Sequence, residues 1–479
     1  MPDPADPPAP AAARVDPPVR PEDRVPLGQK CAYAMGVVSD HYAMFALGAF
    51  ILPFFNVTLG LSATAVAGAM ALARLWDAVN DPLVGSLSDN CRSRFGRRRP
   101  FLLAGAVCAG VVFPLIWLVP ESWSDGWTFA WLCGILLVYY TAYSLLSVPY
   151  ESLGMELTPD YQERTDIYAV RTYVQRAFDL GIPWILPLAS LTVFGGLING
   201  IRLVSVLVGL VIVFAGVVPA IFCVERYQEV GQAQEKENPL RGMKTLVRNG
   251  PFWIVMGSIA LYLFGIMTNS VLGFYVHTYY VCGGDIQAGA ILGGHHGTVG
   301  LVFGILGAIL TQWLSRRVEK KKLLLACVAV LFVGTLSWWW TYLPGRPYLT
   351  LASRPFLAMA ETGFWVLAIS MRADIGDYDE WRFGRRREGL IAAAGNWLVK
   401  LSMTVSVLIG GLLLDYVIRY DATPEAVQTP HTMFMLKACY VAVQASFTAL
   451  VFLLLWQYPL SKKRLLEIRT ELEERRPAV

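Results

Sequence analysis

Residues 203–222, LVSVLVGLVIVFAGVVPAIF, form an unbroken apolar run without Asp, Glu, Lys or Arg. A helix of about 20 such residues spans the roughly 30 Å hydrocarbon core of a bilayer. Segments around 100–120 and 323–345 also lack these four residue types. Because a membrane β-strand alternates apolar and polar residues, the continuous runs predict α-helices that cross a membrane.

The rest of the chain has the composition of a polytopic membrane protein. Of its 479 residues, 55% are hydrophobic and 16% are charged, which argues against a soluble enzyme. We predict an all-α fold with twelve transmembrane spans, approximately at 30–55, 62–87, 100–120, 127–153, 167–195, 201–224, 252–280, 288–315, 322–344, 348–373, 388–418 and 432–459. The eight cysteines show no metal-ligand spacing, so we expect no cofactor.

Basic residues in the loops predict the orientation of the chain. The loops after the second and eighth spans each carry five Lys or Arg residues, within 92–99 and 316–322, whereas the loops on the opposite side carry few. The positive-inside rule therefore predicts a plasma (inner) membrane protein with both termini in the cytoplasm. The net charge of +4 reflects this topology, and we expect membrane lipid but no nucleic acid as a partner.

The chain divides into two halves of six spans each. Residues 1–28 hold nine prolines and predict a disordered cytoplasmic tail. We expect an N-terminal half over 29–224, a charged cytoplasmic linker over 225–250, a C-terminal half over 251–460 and a cytoplasmic tail over 461–479. The sequences after the second and eighth spans resemble each other weakly, which favours two parallel repeats.

The second span contains charged residues that are costly inside a membrane. In RLWDAVNDPLVG, the residues Arg74, Asp77 and Asp81 lie three and four positions apart, on one face of a helix. Intramembrane acids mark ion pathways, so this pattern predicts a site for a cation or a proton. In the alternative, Asp77 only pairs with Arg74 and Asp81 fixes the end of the helix.

Three longer motifs carry a family resemblance. RLWDAVNDPLVGSLSD followed by RSRFGRRRPFLL, VPYESLGMELTPDYQERT at 148–165 and ADIGDYDEWRFGRRREG at 373–389 touch both halves. Together they resemble the glycoside-pentoside-hexuronide:cation symporter family (melibiose permease-like) of the major facilitator superfamily. The resemblance implies the major facilitator fold and a secondary symporter for a sugar or glycoside.

The resemblance also implies functional residues. Asp77 and Asp81 match the acids that bind the coupling ion, Na⁺ or H⁺. The sugar-binding positions match Asp40, Tyr143, Arg171, Trp365 and Lys400. Sugar hydroxyls both donate and accept hydrogen bonds, so acids, bases and an aromatic face suit such a ligand.

The fourth span departs from the family pattern. Ser147 stands where melibiose permease has a third carboxylate, with Ser144 one turn earlier and Glu151 one turn later. We consider two roles for Glu151, as the displaced carboxylate of the cation site or as the partner of a base such as Arg171. Because Na⁺ needs several oxygen ligands, the missing acid favours H⁺ as the coupling ion.

Further charged residues cluster at the cytoplasmic ends of the spans. We predict that an ionic lock between the halves gates access, using Asp89, Arg98, Arg164, Asp374, Asp377 and Arg386. The adjacent His295 and His296 suggest a proton relay, although close helix packing at the neighbouring glycines is the favoured interpretation. Glu361 and Asp179 either line the cavity or pair with a base such as Arg176.

Three function classes remain open. The first is a monomeric cation-coupled symporter, driven by about 2.3 kcal/mol per charge and 100 mV of membrane potential. The second is a carrier of lysolipids or other amphiphiles on the same fold. The third, which we disfavour, is a membrane enzyme acting on a lipid-linked sugar, with Asp77 and Asp81 as catalytic or Mg²⁺-binding acids.

Overall fold

The computed structural model describes residues 24–158, 161–224, 249–383, 388–421 and 428–475. Within these ranges the chain forms helices and connecting turns, without a β-strand. The α-helices are α1 (Leu27–Ile51), α2 (Ala63–Asn90), α3 (Arg99–Leu115), α4 (Asp125–Glu156), α5 (Tyr161–Asp179), α6 (Ile185–Ala189), α7 (Leu197–Phe222), α8 (Gly250–Tyr275), α9 (Ile286–Ser315), α10 (Lys320–Thr341), α11 (Arg354–Phe383), α12 (Glu388–Leu412), α13 (Pro430–Trp456) and α14 (Lys462–Arg475).

Nine helical segments of the described chain are long and apolar enough to cross a membrane. The three other predicted spans fall on α2, on the short apolar helix α3 and on the α5–α6 segment. The helix α2 carries three charged residues in its apolar stretch, which explains why hydropathy alone does not detect it. The predicted all-helical membrane fold is confirmed.

The fifth span, expected at about 167–195, is broken. α5 ends at Asp179, a 3₁₀ turn covers Ile182–Trp184, and the five-residue helix α6 follows. Pro183 lacks a backbone N–H and cannot extend the preceding helix. The break exposes Trp184 and Pro183 to the C-terminal half, where they pack against α9.

Each half packs mainly within itself. In the N-terminal half, α7 packs on α1 and α3, α4 packs on α2 and α3, and α5 packs on α1. In the C-terminal half, α11 packs on α9 and α10, while α13 packs on α8 and α10. α1 and α8 occupy equivalent places in the two halves, and both continue into a π-helical turn, Leu52–Thr58 and Val276–Val281. This correspondence agrees with the weak internal repeat.

The halves meet through α2 with α12 and through the broken fifth span with α9. At the end of the bundle away from the chain termini, here called the far end, Tyr275 Oη donates to Asn56 Oδ1 at 2.5 Å. Nearby, the Thr64 amide donates to Asp415 Oδ2 at 2.7 Å. A Cβ on Gly411 would lie 2.7 Å from that of Ala67, so the two helices touch closely. These contacts close the far end.

Several predicted segments lie wholly or largely outside the described residues. The proline-rich tail is described only from residue 24, and the 225–250 linker only at 249 and 250. The C-terminal tail contains α14, which packs along α11. In this contact Trp381 Nε1 donates to Glu471 Oε2 at 2.6 Å.

Candidate functional site

The two acids of α2 meet a lysine from the other half. Asp77 accepts a hydrogen bond from Ser144 Oγ at 3.0 Å and from Lys400 Nζ at 3.1 Å. Lys400 also forms an ion pair with Asp81. Helices α2, α4 and α12 thus bring together a group that we call the acid cluster: Asp77, Asp81, Ser144 and Lys400. Asp77 is its most buried charge, with 11% of its side chain exposed.

The acid cluster bears on two expectations. The alternative in which Asp77 pairs with Arg74 is wrong, because α12 provides a closer base. Spacing on one helix permits an Arg74–Asp77 contact but does not require it, and the packing of α12 decides the pairing. Ser144 contacts Asp77, whereas Ser147 makes no hydrogen bond among the described residues.

A second group of predicted residues lies within the N-terminal half. Arg171 forms an ion pair with Glu151, and its guanidinium lies 5.3 Å from the ring centre of Tyr150. Asp40 lies on α1 in the same half, and its Oδ1 is buried without a hydrogen bond to a described residue. Of the two roles considered for Glu151, the structure therefore agrees with the ion pair with Arg171. Glu151 lies outside the acid cluster.

Other predicted pocket residues are dispersed. Tyr143 donates weakly to Met44 Sδ at 3.9 Å. Trp365 packs against Tyr262 in the core of the C-terminal half, with ring centres 6.0 Å apart. Lys400, expected at the sugar, lies on the acids. None of these three residues lines the large cavity between the halves that is described next.

A cavity of about 610 Å³ lies between the halves, a volume typical of small-molecule sites. Its wall is mostly apolar, with residues such as Met44, Phe45, Leu186 and Trp338. The polar and charged side chains in its wall include Arg74, Asn269, Ser270, His277, His296, Arg354, Glu361 and Gln444. Most of them belong to the C-terminal half, on α8, α9, α11 and α13.

Arg354 and Glu361 provide the charges on the C-terminal wall of this cavity. Their Nη1 and Oε2 atoms are 3.5 Å apart, and both side chains are partly exposed. Arg354 also donates from Nε to the His296 carbonyl at 3.3 Å. A Cβ on Gly300 would lie 2.5 Å from the guanidinium, so the arginine packs closely on α9 at this glycine. Glu361 therefore both lines the cavity and pairs with a base.

His295 and His296 have different surroundings from each other. His296 lines the cavity, bonds Thr350 Oγ1 through Nε2 at 2.8 Å, and stacks on His277 with ring centres 4.8 Å apart. His295 instead contacts the ring of Trp184 across the interface between the halves. Asp179 pairs with His41 at 3.0 Å rather than with Arg176.

Sequence reasoning missed several cavity residues for identifiable reasons. Arg354 lies seven positions before Glu361 on the same helix face, so the charge pattern that marked Glu361 could also have revealed this arginine. Asn269 and Gln444 are uncharged and isolated in apolar runs, which leaves no signal in composition or spacing. Their place in the cavity depends on tertiary packing alone.

The predicted gating residues form ion pairs within each half. Arg98 is buried and contacts Asp89, Ser88 and Glu156, all in the N-terminal half. Asp374 pairs with Lys320 at 2.7 Å.

Arg164 and Arg386, also predicted to gate access, form no described ion pair between the halves. Arg164 donates to the Thr158 carbonyl at 3.1 Å, again within one half. Arg386 lies outside the described residues. The lock between the halves stays a prediction.

Within the described ranges, no group of three or more His, Cys, Asp or Glu side chains could hold a metal ion. The cavity and the acid cluster instead suit an organic solute together with a monovalent cation. The family described as MFS/sugar transport protein matches residues 32–462. The chain belongs to this family. The predicted resemblance and the major facilitator fold are confirmed.

Individual members of the family are similar over nearly the whole chain. The glucuronide carrier protein homolog of Escherichia coli K12 is 27% identical, covering 93% of this chain and 95% of that protein. The isoprimeverose transporter of Lactiplantibacillus pentosus is 26% identical, over 85% and 84% of the two chains. The putative glycoside/cation symporter YagG of E. coli K12 is 26% identical, over 94% and 95%.

Solved structures share the fold at lower identity. A D-xylose-proton symporter superimposes with a TM-score of 0.58 at 16% identity, covering 91% of this chain and 96% of that one. A bacterial homolog of the human lysosomal transporter Spinster gives a TM-score of 0.61 at 14% identity, over 94% and 98%. At these identities the likeness concerns the fold alone.

Proposed function

We propose that the protein is a cation-coupled symporter of a sugar or glycoside, working as a monomer in the plasma (inner) membrane with both termini cytoplasmic. The contact of Lys400 with Asp77 and Asp81 carries the proposal, because it joins the two halves through the acids expected to bind the coupling ion. The relatives named as a glucuronide carrier and an isoprimeverose transporter support a sugar as the solute.

Charge balance suggests how the ion and the solute are coupled. Two carboxylates and one ammonium leave the acid cluster with one net negative charge. One monovalent cation neutralises it and weakens the hold of Lys400 on the acids. The released ammonium is then free to donate a hydrogen bond to the solute, the role that the family resemblance implies for Lys400. Binding of the ion thereby prepares the solute site.

The donor set favours H⁺ over Na⁺. Ser144 and the two carboxylates are the oxygen donors of the acid cluster, while Glu151 is engaged by Arg171. Na⁺ requires more oxygen ligands than H⁺, which needs one acid. We therefore propose H⁺ as the coupling ion.

The closed far end supports transport by alternating access. With the termini in the cytoplasm, contacts such as Thr64 with Asp415 and Asn56 with Tyr275 lie on the outer side. The structure then corresponds to an inward-facing state. Rocking of the halves would break these contacts and form the proposed ionic lock on the other side.

Uptake of labelled sugars into proteoliposomes tests the proposal. An imposed pH gradient should drive accumulation in the wild type, and Asp77→Asn should abolish it while solute exchange at equal concentrations persists. Asp166→Asn is the matched control. That acid is 68% exposed on α5, and its ion pair is with Lys30 rather than with a residue of the acid cluster. Failure of any sugar to accumulate under H⁺ or Na⁺ gradients, together with uptake of a lysolipid, would refute the proposal.

A further inference from the structure

The cavity between the halves contains one carboxylate. Among the described residues of its wall, Glu361 on α11 is the only Asp or Glu. Its side chain is 23% exposed, so the carboxylate is accessible to a molecule in the cavity. Acids inside a membrane protein are costly and mark the paths of solutes and ions. Asp77 and Asp81 have a different place, because neither belongs to this wall and both contact Lys400.

The ion pair between Glu361 and Arg354 leaves room for a further partner. Arg354 Nη1 lies 3.5 Å from Glu361 Oε2, whereas a charge-assisted hydrogen bond measures about 2.7–2.9 Å. Arg354 is 29% exposed and also belongs to the wall. A hydroxyl group can accept a hydrogen bond from the guanidinium and donate one to the carboxylate, because its oxygen has both roles. The pair therefore offers two complementary contacts to a sugar.

Contacts with α9 hold Arg354 in place before any solute arrives. Its Nε donates to the His296 carbonyl at 3.3 Å, and its guanidinium packs closely on Gly300. The His296 ring is itself fixed by a hydrogen bond of 2.8 Å between Nε2 and Thr350 Oγ1. A side chain that is already ordered loses little conformational entropy when it binds a ligand. Arg354 is therefore suited to position the Glu361 carboxylate for a solute.

The same cavity reaches the surroundings of the acid cluster. Its wall includes Arg74, which lies one turn before Asp77 on α2, and Met403, which lies one turn after Lys400 on α12. A solute in the cavity thus lies next to the helices that carry the acid cluster. The wall from the N-terminal half is otherwise apolar, so hydrogen bonds to the solute depend largely on the C-terminal half.

The family resemblance did not indicate this pair. It placed the sugar acceptor on Asp40 of α1, which does not belong to the cavity wall. The other residues that the resemblance assigned to the sugar are also absent from this wall: Tyr143, Arg171, Trp365 and Lys400. The wall instead presents its acid on α11, from the opposite half of the protein.

We propose that Glu361 binds a hydroxyl group of the solute, and that Arg354 both positions this carboxylate and donates to the same solute. The assignment rests on the proposed sugar transport and adds a solute contact on the C-terminal half. The coupling ion stays with the acid cluster. Loss of Glu361 should therefore weaken solute binding and leave ion coupling intact.

Solute exchange in proteoliposomes, with the ion equal on both sides, measures solute binding separately from coupling. The probes are glucose, galactose and xylose, each with its monodeoxy analogues. In the wild type, the analogue that lacks the bound hydroxyl should need about tenfold to a hundredfold more sugar for half-saturation than its parent. Glu361→Gln should raise the half-saturating concentration of the parent about tenfold and leave that analogue unchanged. The ratio between the two sugars therefore falls about tenfold.

Control variants separate this effect from general damage. Glu467→Gln removes an acid that is 43% exposed and pairs with Arg464 on α14, and it should keep the wild-type ratios. Glu361→Asp keeps the charge on a shorter side chain and should give a ratio between those of the wild type and Glu361→Gln. It replaces Glu361→Gln if that variant does not reach the membrane. Each ratio compares two sugars on one protein, so it does not depend on the amount of folded protein.

The outcomes separate this inference from the proposed function. An equal change for the parent and all its analogues in Glu361→Gln would assign the pair a purely structural role and overturn the inference. Loss of gradient-driven accumulation with an unchanged half-saturating sugar concentration would make Glu361 an ion carrier, which also overturns it. Both results leave sugar symport standing. Absence of exchange and accumulation for every sugar in the wild type would overturn both proposals. A ratio that falls only in the Glu361 variants supports the inference.

Discussion

Lys400 competes with the coupling ion for the same two acids, so Lys400→Met should raise the affinity of the protein for that ion. Its ammonium lies 3.1 Å from Asp77 Oδ2. At this distance Coulomb's law gives an attraction between the two charges of about 1.3 kcal/mol at the dielectric constant of water. At an effective dielectric constant of 20 the attraction is about 5 kcal/mol. Because 44% of the lysine side chain is exposed, the lower limit applies. We therefore expect that losing the Asp77 contact alone raises the affinity for the coupling ion about tenfold. Losing the Asp81 contact raises it further.

The assay is the initial rate of solute exchange in proteoliposomes, measured against the concentration of H⁺ or Na⁺ with the ion equal on both sides. The half-saturating ion concentration should fall at least about tenfold in Lys400→Met and stay near the wild-type value in Lys400→Arg. Lys463→Met, an exposed position on α14, is the matched control. An unchanged half-saturating concentration in Lys400→Met would refute competition between the lysine and the ion.

Three further substitutions separate the other contacts of the site. Glu151→Gln should preserve gradient-driven accumulation and weaken solute binding by at most about fivefold, because its ion pair lies outside the acid cluster and is half exposed. Ser144→Ala removes a hydrogen bond to the Asp77 carboxylate, so the half-saturating concentration of H⁺ should fall about tenfold. The half-saturating concentration of Na⁺ should rise, because Na⁺ loses an oxygen ligand. Gly411→Leu should open the far end, because even a Cβ at this position would lie 2.7 Å from that of Ala67. A cysteine introduced at Thr64 should then react faster with a thiol reagent.

Two of these tests have a matched control, Ser144→Ala and Gly411→Leu. Ser152→Ala loses only a bond to its own helix backbone and should keep the ion dependence of the wild type. Gly68→Leu adds a side chain where a Cβ meets nothing within 4 Å, so it should not change thiol labelling. Loss of accumulation in Glu151→Gln would instead assign that acid to the cation site. Equal labelling in both glycine variants would show that the far-end contact does not hold the state.

The acid cluster shows how far residue spacing could lead. The positions of Asp77 and Asp81 on one helix face follow from the sequence, because helical periodicity is a local property. Their base is 323 residues away from Asp77 in the chain, and no local pattern identifies it. The resemblance to the symporter family pointed to Lys400 as a sugar ligand, whereas the packing of α12 on α2 puts its ammonium on the acids.

The amino-acid sequence by itself determined that the chain is a helical membrane protein, because the free energy of inserting a segment depends on the apolar residues within that segment. It also determined which charges must be buried at a cost. Only the tertiary structure decided their partners, the break of the fifth span against α9, and the cavity wall with Asn269, Gln444 and an unpaired Arg74. These features arise where residues distant in the chain meet, and the geometry of that packing determines which polar atoms are hydrogen-bonded and which are not.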